Sequence, residues 1–151
     1  MKLAEALIER ADLQIRLSQL DARLHNNAKV QEGETPAEDP NDLLRELDQI
    51  SARLEQLITA INLTNAAVTD GGETLTALLA RRDVLKSRVG ALRNFLNAAS
   101  SVVMRGSRGE VVIRSTVDVA ALRREADARA MELRKLDTRI QALNWTADLL
   151  E

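Results

Sequence analysis

The chain has 151 residues, 45% apolar and 29% charged, with a net charge of −2 from 21 basic and 23 acidic side chains. That balance excludes a disordered chain and gives no global attraction to nucleic acid or anionic lipid. Cysteine is absent, which excludes disulfides, thiol catalysis and cysteine-ligated zinc or iron–sulfur clusters, and the only aromatics are Phe95 and Trp145.

The first predicted element is a helix over about 2–27, with a seam of Leu3, Ala6, Arg10, Leu13, Leu17, Leu20 and Leu24. Its opening, MKLAEALIER, reaches acidic residues too early for a secretory apolar region. Its end carries the only histidine, His25, which reads as a favourable helix-end residue rather than a ligand or base. The stretch KVQEGETPAEDP follows as a loop, bearing Glu32, Glu34, Glu38 and Asp39.

Asp39 before Pro40 predicts the start of a second helix, over about 40–67, with Leu43, Leu47, Ile50, Leu54, Leu57 and Ile61 in its seam. Val68–Glu73, with Gly71 and Gly72, reads as a turn. Thr74 is positioned to cap a third helix over about 74–100, with Leu78, Arg82, Leu85, Val89, Leu92 and Leu96. Two β-branched runs flanking an Arg/Gly loop, SVVMRGSRGEVVIRS, predict a small β-hairpin over about 102–114. Ser115 or Thr116 is the expected cap of a fourth helix over about 116–150.

In each helix the 3-then-4 spacing keeps one apolar seam facing a neighbour. Extra leucines such as Leu7, Leu44 and Leu79 widen the stripe toward that of a bundle. The fold expected is all-α: four long antiparallel helices, coiled-coil-like, in one domain over 1–151, with the hairpin between helices 3 and 4. No apolar run approaches the roughly 20 residues of a membrane span. The chain is expected to be cytoplasmic.

If neighbouring helices alternate in direction, one bundle end gathers the loop 29–39 and the hairpin. There Arg105, Arg108 and Arg114 face a comparable set of acids. Mutual or solvent pairing is the first reading, a subunit contact the second and an anion or RNA site the third. Three arginines without interleaved aromatics are a poor nucleic-acid signature. The other end gathers both termini and the turn, with Asn62, Asn65, Asp83, Asn144, Trp145, Glu9 and Arg10 at similar heights. A polar cluster that fixes helix register is the favoured reading, and a small-ligand or metal pocket the alternative. Arg10, Arg82 and Arg129 interrupt the seams, with Glu9, Asp83 and Glu132 beside them as candidate partners.

Enzymatic templates are missing: no Walker loop, no nucleophile elbow, no dinucleotide fingerprint and no Glu-x-x-His pair. No catalytic, cofactor or metal residues are assigned. The segments NAKVQEGETPAEDPNDLL, LTALLARRDVL, STVDVA and LDTRIQALNW resemble those of a family of small uncharacterised bacterial helical proteins, some named septicolysin. That resemblance implies no site residues. The toxin name implies an oxygen-labile, membrane-damaging protein. A chain without cysteine, secretion signal or insertable apolar hairpin departs from it. The expected function is a structural or interaction module acting as a homo-oligomer, with a ligand-binding protein or enzyme as the alternative and membrane activity disfavoured.

Overall fold

A computed structural model describes residues 1–101 and 113–150. Its elements run α1 (Leu3–Asn26), α2 (Pro40–Ala67), β1 (Thr69–Asp70), β2 (Glu73–Thr74), α3 (Leu75–Ser100) and α4 (Val119–Thr146). The four predicted helices are present, and the fold is mainly α.

A small sheet lies between α2 and α3, where the sequence reads as the turn Val68–Glu73. Two-residue strands β1 and β2 pair antiparallel between α2 and α3, with Thr69 opposite Thr74 and Asp70 opposite Glu73. Gly71 and Gly72 make the connection at φ 58° and 82°. Two consecutive positive φ values suit the tight hairpin turn that follows strand twist, and glycine adopts them without steric cost. The hairpin expected at 102–114 falls largely outside the described residues, as do Arg105 and Arg108. Ile113 and Arg114 are irregular and exposed.

The chain divides into two compact units. One comprises Met1–Leu75 with the segment from Ala142 onward, and the other comprises Thr76–Gln141.

In the first unit α1 and α2 pack antiparallel. Glu9 meets Arg53 and Arg23 meets Glu46, so sequence position rises on one helix as it falls on the other. The buried seam is Leu3, Ala6, Leu13 and Leu20 on α1 with Leu43, Ile50, Leu54, Leu57 and Ile61 on α2. Asp39 caps α2 by accepting the Asn41 N–H at 2.8 Å, and Pro40 takes the first position, where an absent N–H costs nothing.

The same unit joins the first and last described residues. The N–H of Leu3 donates to the Ala147 carbonyl at 3.0 Å, and that of Leu149 donates to the Met1 carbonyl at 2.9 Å. Lys2 adds an ion pair to Asp148 at 2.7 Å and donates to the Thr146 carbonyl at 3.0 Å. Hydrogen bonding from Lys2 holds the Asp148 carboxyl below its usual range. These bonds explain why α4 stops at Thr146 rather than continuing to residue 150.

Thr64, fully buried on α2, adds a further tie. Its hydroxyl donates to the Ala60 carbonyl at 2.7 Å and accepts the Leu150 N–H at 2.9 Å. Thr64→Val keeps the shape and removes the acceptor. The expected loss is about 1 kcal/mol, with faster hydrogen exchange at Leu150. Unchanged exchange there would show that the hydroxyl does not hold the segment.

In the second unit, Leu85 and Val89 of α3 pack on Ala130 of α4, with Leu133 against them. Arg88 reaches Glu125 across the same pair of helices at 3.2 Å. Helix α4 starts at Val119 because Asp118 accepts the Ala121 N–H at 3.0 Å. Ser115 instead closes a local turn on Val117, accepting its N–H at 3.4 Å.

Candidate interaction surface

The loop between α1 and α2 is built around Arg23. Its guanidinium donates to both carboxylate oxygens of Glu38, with Nε at 3.2 and 3.1 Å, and to Glu46 at 3.1 Å. Glu38 above all, then Glu46, binds the Arg23 proton more firmly than usual, while Arg23 depresses the Glu38 carboxyl. Buried Asn27 completes the anchor. Its amide donates to the Arg23 carbonyl at 2.9 Å and its oxygen accepts the Glu38 N–H at 3.0 Å. Of the four loop acids, Glu38 and Asp39 therefore work within their own unit. Glu32 and Glu34 are exposed.

The residues expected at the other end are placed as follows. Asn62 is exposed and Asn65 half-buried on α2; Asn144 is buried near the end of α4, and Trp145 is 56% exposed. No hydrogen bond links these four side chains to one another among the described residues. Glu9 binds Arg53 through two bonds, 2.6 and 2.8 Å, which hold its carboxyl below the usual range. The partner suggested by sequence, Arg10, is half-buried with its Nε enclosed and without a hydrogen bond. Arg53 faces Glu9 from α2 and takes its carboxylate. In the second unit, Asp83 holds Arg82 at 2.7 Å and Glu132 holds Arg129 at 2.9 Å, as the sequence suggested.

An open groove of about 740 Å³ runs beside α2 in the first unit, lined chiefly by Met1, Ala52, Arg53, Ala60, Leu63 and Leu149. Its polar lining is Arg53, which holds Glu9, together with Glu55, Gln56 and Thr59. Among the described residues no three His, Asp or Glu side chains come together as a metal ion needs. Among them also, no helix is long and apolar enough to cross a membrane.

The sequence reading missed the outer face of α1. Ile8 and Ile15 are 54% and 58% exposed, while the seam Leu3–Leu13–Leu20 is buried. Ile15 follows Leu13 by two residues, about 200° around the helix, so it points away from the core. Ile8, Ala11, Ile15, Ser18 and Ala22 are all exposed and repeat at intervals of three and four. The helix thus carries a second heptad-like line. The spacing was legible in the sequence, but alanine and serine at alternate positions concealed it behind the leucine seam.

The comparisons agree with this architecture and assign no activity. No protein of curated function matches the chain. A crystal structure of a functionally unknown conserved protein from Corynebacterium diphtheriae is similar at a TM-score of 0.93 and 39% identity, covering 99% of each chain. With a family model matching residues 10–149, the chain belongs to a family of unknown function, DUF6847.

Proposed function

We propose that the protein is a helical interaction module that acts as a homo-oligomer in the cytoplasm. The observation that carries this reading is the exposure of Ile8 and Ile15, each more than half open to solvent on a well-formed helix. Isolated exposed apolar residues are ordinary, but two in line at a seven-residue interval make a stripe. Covering a fully exposed isoleucine contributes about 1.5–3 kcal/mol, and these are little more than half exposed, so four across a pair of chains give roughly 3–7 kcal/mol gross. Association costs about 4–15 kcal/mol, which places such a contact in the weak range.

Sedimentation equilibrium over roughly micromolar to hundred-micromolar protein tests it. A mass above one chain, rising with concentration, is the expected result. A single-chain mass throughout that range overturns the reading. The alternative, a ligand- or metal-dependent protein using the end with Asn62, Asn65, Asn144 and Trp145, predicts a thermal shift with a metal or metabolite panel.

A further inference from the structure

We propose that the outer line of α1 is a two-fold contact in which the α1 helices of two copies lie antiparallel. This rests on the homo-oligomer reading and adds the direction and register in which the two helices meet, which that reading leaves open.

The argument begins with side-chain size. Along the exposed line the residues are Ile8, Ala11, Ile15, Ser18 and Ala22, so large and small alternate at the first four positions. A parallel pairing sets Ile8 against Ile8 of the partner subunit and Ala11 against Ala11 of the partner subunit. Those layers are alternately full and empty, and no single interhelix distance suits both. Reversing one helix changes the match. Ile8 then lies over Ser18 of the partner subunit, Ala11 over the partner's Ile15, Ile15 over the partner's Ala11 and Ser18 over the partner's Ile8. Every layer holds one large and one small side chain, and the helices approach evenly along the contact.

The pattern is its own complement when read backwards, which is the requirement for an isologous two-fold contact. That property points to a second copy rather than an unrelated partner. Charge does not favour another occupant. Glu5, Asp12, Gln14, Gln19 and Asp21 border the line, and Arg16 nearby is turned toward Glu46 of its own chain at 3.6 Å. The three carboxylates are split between the two flanks, Glu5 and Asp12 on one and Asp21 on the other, so neither flank presents a continuous acidic row to a basic partner. Ala4, the next position toward the N-terminus, is buried within its own chain. The available line therefore starts at Ile8. Antiparallel packing also sets the helix dipoles in the favourable sense.

The chain has no cysteine, so introduced thiols report contacts without background. Ala11→Cys and Ile15→Cys proteins, one of them isotope-labelled, are mixed and oxidised mildly, and the disulfide-linked dimers are weighed by mass spectrometry. The mixed dimer is expected to dominate over either self-linked species. Ile8→Cys mixed with Ser18→Cys should behave in the same way. Self-linked Ile8→Cys and Ile15→Cys dimers in preference to mixed ones would overturn the antiparallel register.

Two substitutions test the surface by sedimentation. Ile15→Glu should weaken association about tenfold or more with unchanged helicity by circular dichroism, since the site is already exposed. Ala11→Leu makes the face more apolar yet should also weaken association, because it overfills the layer shared with the partner's Ile15. Tighter association in Ala11→Leu would show non-specific adhesion and sink the proposal. An oligomeric wild type that neither substitution affects, and that forms no mixed disulfide, refutes this surface and leaves the homo-oligomer reading standing. A wild type that sediments as one chain at all concentrations removes both.

Discussion

Leu57→Ala is expected to destabilise the first unit by about 2–5 kcal/mol. Leu57 is 1% exposed and sits between Leu54 and Ile61 in the α2 seam, whose members are all buried. Truncation removes the transfer free energy of the lost carbons and leaves a void that two packed helices close only in part. The matched control is Leu44→Ala on the same helix. Leu44 is exposed, so its loss should change stability by no more than about 0.5 kcal/mol. Urea unfolding followed by circular dichroism measures both. Equal effects would mean that α2 does not bury the face described.

Asn27→Ala should cost about 1–3 kcal/mol, more than its place at a helix end suggests. The side chain is buried and serves two backbone groups at once, the Arg23 carbonyl and the Glu38 N–H. Alanine leaves the Glu38 N–H without its acceptor and loosens the segment that presents Glu38 to Arg23. Asn27→Asp retains the acceptor and loses the donor, so an intermediate loss is expected. Hydrogen exchange at Glu38 separates the two. Fast exchange belongs to Asn27→Ala, and equal protection in both variants would show that the acceptor is not what orders the loop.

Much of this fold is written in local chemistry. Asp39 followed by Pro40 places the start of α2 at the predicted residue, because cap and fixed φ act within one turn. The end of α4 was not legible. Leu143 and Ala147 continue the helical spacing, yet the chain leaves the helix after Thr146 to pair with Met1–Leu3. That competitor lies at the far end of the sequence, where no periodicity points. Glu9 shows the same limit. Arg10 is its neighbour in sequence, whereas Arg53 is its neighbour across the α1–α2 pair. Arg82–Asp83 and Arg129–Glu132 each lie on one helix, as Glu9 and Arg10 also do; what spacing could not show was the arginine that faces Glu9 from α2. The outer line of α1 was readable in spacing, and became meaningful once the structure showed which leucines were already covered.

The joining of Met1–Leu3 to residues 147–149 has a kinetic consequence. The first unit is discontinuous: its closing bonds connect positions separated by almost the whole chain, while the second unit lies between them in sequence. Helices α1 and α2 are linked by a short loop and can pair early. The last backbone bonds must await closure of a much longer loop, whose entropic cost grows slowly with length but delays contact. A chain emerging N-terminus first therefore presents α1 and α2 with one edge unfinished until residues 147–150 arrive. In that interval Met1 and Leu3 lack their backbone partners at Leu149 and Ala147, and Thr64 lacks Leu150.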